Sequence, residues 1–581
     1  VDLTRVTIQF GQFVLDETAR FLRLGDRELH VQPLVFDLLV YLVRSRPRAV
    51  SKDELLEALW PGVIVTENSL QRAVSSLRTV LREGQMEDAV RNIPRAGYRF
   101  CADAAEQAAI DGESSLNAAR VAAAHARWED VIALYSKLCA DDLKGEDFDH
   151  WGMALQCVGT PFEAIRFLTT AVDAHIKSED CAAAAMSAIA LSAIHLERGE
   201  LAIAKGWLAR AEELAPADSV GVGRVAWMQA RISASEGDPQ GALEWADAAY
   251  NIGRVTGDAG SEALGLIYRG FFRLSLGDTL AGLTDQDHAA ALALSNRIDP
   301  VTGGTIYCNI LWACRTFGDW SRASQWTLGY RQFCTSSNMK FSGSCQLHRA
   351  EVLGVQGSLQ DALVHIDDAL MRLGHDAPWA RGDGYRVLGD IHSAIGNDDA
   401  ARAAYEASYA FGWDPEPGRA LMLLDAGDTE AAYNSLERSL IGQSWWTLQR
   451  HGMLLAHLAR VAAHAGKYER AQALIDDLSG QDKRWPMASI RALTNEASAV
   501  LAAKHGRLEE GLRFFHLARQ LWTSVESRFN ATRVRLEIAA AQLELKDEAG
   551  AAAELRAALA DAKELGSLKL QRKCAALQAL V

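Results

Sequence analysis

The chain has 581 residues, is 49% hydrophobic and carries a formal net charge of −15, from 60 Lys+Arg against 75 Asp+Glu. Such a length and apolar content exclude a disordered chain and predict several domains or a long array, while nine scattered cysteines without a CxxC exclude a disulfide framework or zinc ribbon and fit reduced thiols. No apolar run is long enough to span a bilayer, so no membrane contact is expected and the expected compartment is the cytoplasm.

Charge is unevenly spread. Residues 1–103 hold 14 Lys+Arg and 14 Asp+Glu, so the remainder carries the whole acidic excess. A neutral module with local arginines can bind phosphate, whereas a strongly acidic one repels it, and two different jobs are expected. In chain order, VTIQFGQFVL and RFLRLGDRELHV alternate like short strands, with Gly25-Asp26 as a hairpin turn. QPLVFDLLVYLVRS predicts a helix with Pro33 in its first turn and Leu34, Leu38 and Leu42 on one face. SKDELLEALW predicts a second helix, with Ser51 and Glu54 at capping-box spacing. After the loop PGVIV, TENSLQRAVSSLRTVL predicts a third helix, N-capped by Thr66, in which Leu70, Val74, Leu77 and Leu81 form one apolar line. Opposite that line stand Asn68, Arg72, Ser75 and Thr79, where a solvent stripe is usually built from better helix formers such as Glu, Lys and Gln. AVRNIPRAGYRF then predicts a strand, an Arg-bearing turn and a returning strand.

The linked pattern VSKDELLEALWPGVIVTENSLQRAVSSLR…IPRAGYRF resembles the C-terminal effector domain of the OmpR/PhoB family over about residues 6–101. It is nearest the CadC/HilA-type branch, which carries this domain at the N-terminus without a receiver. The resemblance implies a winged helix-turn-helix, with Thr66–Leu81 as recognition helix and Pro94–Gly97 as wing tip. It implies double-stranded promoter DNA as the partner, bound by a head-to-tail pair of chains. Short polar side chains let a helix enter the major groove closely, where a row of Glu would repel the duplex. Asn68, Arg72, Ser75 and Thr79 are therefore expected at base edges, and Arg78, Ser69, Ser76, Arg95 and Arg99 at phosphates. For the helix taken alone, the plain alternative is an ordinary amphipathic surface helix. Where relatives place several arginines this chain has Asn68, Ser75 and Ser76, so the operator sequence does not carry over. The loop Trp60–Val65 matches the segment that touches RNA polymerase in this family, although Trp60 itself reads as a core residue.

Residues 104–114 turn to Ala, Asp, Gln and Gly and read as a linker. From 115 to 581 a beat near forty residues takes over, with Gly at 159, 199, 237, 277, 318, 357, 396, 427, 466 and 506. Five residues after each stands Ala or Gly, from Ala164 to Gly511, and Thr160, Asp238, Asp278, Asp319, Ser358, Asn397 and Asp428 follow seven of the glycines directly. Glycine at a left-handed helix end, a capping residue next, and small residues where helices cross describe stacked helical hairpins. The pattern resembles tetratricopeptide repeats, in the longer form of MalT-type regulators. The expected fold is thus mainly α: a winged helix-turn-helix (α+β), then an all-α superhelical solenoid of about 11–12 hairpins, one of them shortened at the 396–427 step.

The concave face of such an array falls to the first helix of each hairpin. Trp227, Tyr268, Arg269, Asn309, Trp312, Arg349, Tyr385 and Arg386 are its candidate effector or partner residues, since aromatic and Arg surfaces suit polar ligands and peptides. The alternative is that the aromatics pack between repeats and the arginines are solvated. There is no GxxxxGK[ST], HExxH or GxSxG, and His451, His457 and His464 are spaced too far apart for one ligand sphere. No enzymatic activity, metal or cofactor is expected. Two readings of the large part stay open, a receptor for a small molecule and a protein-interaction scaffold tethered to DNA.

Overall fold

The computed structural model describes residues 6–16, 20–25, 27–29, 31–46, 48–60, 67–94, 96–102, 105–108, 112–217, 219–295, 297–340, 343–373, 378–441, 445–481 and 483–580. They divide into two compact units, Val1–Ala118 and Ala119–Val581.

The first unit opens with strands β1 (Val6–Phe10), β2 (Phe13–Asp16), β3 (Phe21–Leu24) and β4 (Arg27–Leu29). The stretch VTIQFGQFVL spans β1 and the start of β2, because Gly11 takes a positive φ and turns the chain. Helices α1 (Pro33–Arg44), α2 (Lys52–Leu59) and α3 (Glu67–Arg82) follow, then a hairpin of β5 (Val90–Ile93) and β6 (Gly97–Phe100). A last strand, β7 (Ala105–Ala108), lies inside the stretch read as a linker and pairs antiparallel with β1, giving the sheet order β4-β3-β2-β1-β7. One core unites these elements: Phe10, Phe13 and Leu15 from the sheet, Leu38 and Leu42 from α1, Leu70, Leu77 and Leu81 from α3, and Phe100 from the hairpin. Leu34 and Trp60 are half-buried at its edge. The Ser51 hydroxyl accepts from the Glu54 amide, as expected of an N-cap. The Glu54 carboxylate is instead taken by Arg48, which with the Tyr41 hydroxyl holds it down at about 2. Thr66 lies outside the described residues, as do 61–65 of the expected polymerase-facing loop.

Helical hairpins follow, from Gly112–Ala124, which straddles the division at Ala118, with Trp128–Tyr135 to Arg528–Glu544 with Glu548–Glu564, closed by the single helix Leu568–Gln578. All ten corner glycines take positive φ, between 73 and 102°. At the first and last hairpins, which lack the glycine, Ala126 and Lys546 adopt the same left-handed corner. The small residues five positions on are where helices cross: Ala164, Ala204, Ala242, Ala323, Ala362, Ala401, Ala432 and Ala471 have no exposed surface. At Gly282 and Gly511 even a methyl does not fit, since a Cβ would stand 2.7 Å and 2.9 Å from the carbonyl oxygens of Gly270 and Ala499. Capping is less uniform than expected: Asp238, Asp319 and Asp428 accept from helix amides, whereas Thr160, Asp278 and Asn397 do not. The shortened repeat is real, its first helix, Gly418–Asp425, being 8 residues long.

The array winds tightly enough for its successive turns to touch. Ser489 Oγ donates to Gly318 O at 2.6 Å, Ser527 Oγ to Val355 O at 3.2 Å and Ser567 Oγ to Ala394 O at 2.5 Å. The separations are 171, 172 and 173 residues, so a little over four repeats complete one turn of the superhelix.

Candidate functional site

Two places in the molecule concentrate functional side chains, and each is built from its own unit. In the first, α3 turns its apolar line, Leu70, Ala73, Val74, Leu77 and Leu81, into the core. That choice leaves Asn68, Gln71, Arg72, Ser75, Ser76 and Thr79 exposed on the outer face, with Ser69 half-buried at its flank. Arg72 makes no hydrogen bond or ion pair with any described residue, so its guanidinium faces solvent complete. Thr79 donates its hydroxyl to Ser75 O at 3.0 Å and so offers an incoming group only lone pairs. At the helix start, Lys52 of α2 reaches Glu67 at 2.7 Å and neutralises the one carboxylate on this end of α3.

Arg78 is placed differently from the other candidates. Its Nε and Nη2 donate to Val90 O at 3.0 and 2.8 Å, which ties α3 to the first strand of the wing. It holds the wing in register and leaves only Nη1 uncommitted. In the wing, Arg91 of β5 stands directly opposite Arg99 of β6, and both are exposed. Like charges on paired positions repel, so this pair is sustained at a cost that a phosphate would remove. Arg91 escaped the sequence reading, although the in-out alternation of Val90-Arg91 carried the signal. Arg95 lies outside the described residues. Gly97 begins β6 at a φ of 111°, and a Cβ there would fall 1.9 Å from Val50 O. Only glycine lets the wing close on Val50, which bridges Tyr98 through hydrogen bonds of 2.8 and 2.9 Å.

The second place is inside the solenoid. The first helices of successive hairpins enclose a cavity of about 240 Å³ whose wall includes Trp312, Arg315, Glu351, Asp383, Arg386, Asp390, Trp413, Arg450, His457 and Arg460. Arg315 reaches Asp383 at 2.9 Å and also pairs with Glu351, while Arg386 reaches Glu351 at 3.0, Asp383 at 2.7 and Asp390 at 2.8 Å. Burial pushes the Asp383 carboxyl up, but Arg386 and Arg315 outweigh it and hold the group well below the usual carboxylate range. Burial wins at Asp390, raised to about 6 although Arg386 and the Tyr405 hydroxyl bond it.

Of the solenoid candidates, Trp312 and Arg386 line this cavity. Trp227 and Tyr268 instead meet edge to face at 6.1 Å, and Tyr268 is hydrogen-bonded with Asn309, forming a separate cluster between helices. Arg269 is spent on Asp285 and Asp247 at 2.7 to 2.8 Å. Tyr385 stacks on Phe411 at 5.6 Å, and burial together with Arg331 lowers the pKa of Arg349. His457 and His464 are held down to about 3 and about 4, first by burial and then by Arg460. Cys308 lies 3.4 Å from His348 and is hydrogen-bonded with Cys345.

Residues 26–100 match the family described as Transcriptional regulatory protein, C terminal. The transcriptional regulator HilA of Salmonella typhi is 31% identical over 91 residues, which are 16% of each chain. The transcriptional activator CadC of Escherichia coli (strain K12) is 25% identical over 95 residues, 16% of this chain and 19% of the relative. Among solved structures, the DNA-binding domain of E. coli CadC aligns with 22% identity and a TM-score of 0.17, covering 18% of this chain and 99% of that one. The matched segments are therefore under a fifth of the lengths of the HilA and CadC chains.

Proposed function

We propose that this chain, whose N-terminal unit carries a winged-helix domain of the OmpR/PhoB type, is a one-component transcriptional regulator that binds promoter DNA sequence-specifically and receives its signal on the solenoid. One observation carries the reading: the outer face of α3 is an exposed stripe of Asn68, Arg72, Ser75 and Ser76, and the wing beside it sets Arg91, whose Nε donates to Asp88 O at 3.3 Å, opposite Arg99, with no carboxylate on either among the described residues. Arg72 and Asn68 supply base-edge contacts, while Ser69, Ser76, Arg91, Arg95 and Arg99 hold phosphates. The DNA-binding part extends past residue 103 to include β7, and Ala119–Val581 forms the sensing part. Two chains bind head to tail, and the regulator activates rather than represses, with RNA polymerase as the further partner of the loop after α2.

Selection of genomic fragments with the full chain tests this. A shared motif is expected to emerge, and Arg72→Ala should weaken binding to it by about 1–3 kcal/mol while blurring one position. A motif bound equally by wild type and Arg72→Ala would remove α3 as the reading element.

A further inference from the structure

The cavity in the solenoid is rich in cations. Its wall presents six cations, Arg315, Arg386, Arg450, Arg460, Arg533 and Lys569. Carboxylates answer them: Glu351, Asp383, Asp390 and Asp425 in the wall, and Glu496 behind it, which Arg533 grips at 2.7 and 2.8 Å, while Glu537, itself bonded by Lys573, and Asp414 act on Arg460 and Arg450 from beyond bonding distance. Four of the cations are saturated, Arg315 and Arg386 as above, Arg533 by Glu496, and Lys569 by Asp425 at 2.5 Å. Arg460 has only a 3.5 Å contact with the already paired Glu496. Arg450 has no carboxylate partner among the described residues: Nη1 donates weakly to Asp414 O at 3.3 Å and Nη2 to nothing. Its position carries a cost, because a partly desolvated guanidinium without an anion at bonding distance keeps its burial penalty and gains little back.

Arg450 does not stand alone. On the helix Trp445–His464 it shares one face with Met453, His457 and Arg460, at i, i+3, i+7 and i+10, and all four border the cavity. His457 keeps a buried Nδ1 without a partner. Across from this stripe lie Trp312 and Trp413, whose rings meet edge to face at 6.0 Å, together with Leu421 and Pro417. A guanidinium without a carboxylate partner and an imidazole nitrogen without a hydrogen bond, beside a wall of indole and aliphatic surface, form a polar anchor and an apolar bed, which is how small-molecule sites achieve orientation and affinity together.

We propose that this cavity is the effector site of the solenoid and that it takes a small organic anion, its carboxylate or phosphate bonded by Arg450 and His457 and its planar apolar body held by Trp312 and Trp413. The inference rests on the reading of the solenoid as a sensor. Bidentate recognition of such an anion by a guanidinium is strong and geometrically selective, and the anion supplies the counter-charge that Arg450 lacks at bonding distance.

Titration of the full chain with benzoate, phenylacetate and phenyl phosphate, followed by tryptophan fluorescence and thermal melting, tests the proposal. At least one should bind saturably and raise the melting temperature, whereas benzylamine and inorganic phosphate should not. Arg450→Met should weaken the binding probe by about tenfold or more, and Arg450→Lys should restore part of it. Because a half-buried cation without a carboxylate partner is removed, Arg450→Met should melt no lower than wild type without ligand, which separates lost binding from lost folding. Absence of saturable binding by all three anions, or equal binding by wild type and Arg450→Met, overturns the proposal. Fragment selection on the same preparations separates the two readings, since a chain that binds its DNA motif but no anion keeps the regulator and loses only this site.

Discussion

Arg72 and Arg78 are six residues apart on one helix and do different work. Arg72 is exposed without a partner, whereas Arg78 spends two donors on Val90 O. Replacing Arg78 by Ala orphans that carbonyl and loosens the wing, so it should cost about 1–3 kcal/mol of stability in denaturant melts of the isolated first unit. Arg72→Ala should leave those melts within about 0.5 kcal/mol of wild type, its effect appearing only on DNA. Equal destabilisation by both would mean that Arg78 does not pin the wing. The sequence made both arginines visible through helical spacing but not their division of labour, because which flank residue reaches a strand carbonyl depends on how α3 and β5 pack. Arg450 was missed for a related reason. Its stripe is regular, yet its lack of a carboxylate partner is settled by helices brought together from distant repeats.

Among the elements, the hairpin corners were the most legible, since a left-handed helix end favours glycine on steric grounds and ten of the corners carry it. β7 was the least legible. Its sequence, AEQA, has little strand propensity, and the strand exists because β1 offers a free edge to its backbone. The contacts between superhelical turns were equally hidden, as nothing local in a serine announces a carbonyl 172 residues away. Ser527 is fully buried, so Ser527→Ala should leave Val355 O short of a donor at little cost in packing. A fall in the urea midpoint equivalent to about 1–2 kcal/mol, with unchanged slope, is expected. An unchanged midpoint would show that the turns do not depend on this bond.

For the whole molecule, the buried histidines give the solenoid a direction of pH dependence. His457 and His464 have folded pKa values near 3 and near 4, below the ordinary 6.5. Between those values the unfolded chain takes up protons that the native state refuses, so their contribution is complete above about pH 6.5 and is lost as pH falls toward 4. His464→Gln should therefore lose less melting temperature than wild type on going from neutral pH to about pH 5. An identical loss would mean that His464 titrates normally in the folded chain. The solenoid's acidic excess also bears on DNA, for a neutral winged helix joined to a strongly acidic array must draw its affinity from a few well-placed arginines.

The most direct test of that claim compares genomic fragments selected by the full chain and by residues 1–118, a length that retains β7, at two salt concentrations. The account predicts one shared motif for the folded short fragment, with affinity that falls as salt rises because phosphate contacts release counterions. A folded fragment that enriches no motif at either salt concentration would contradict it.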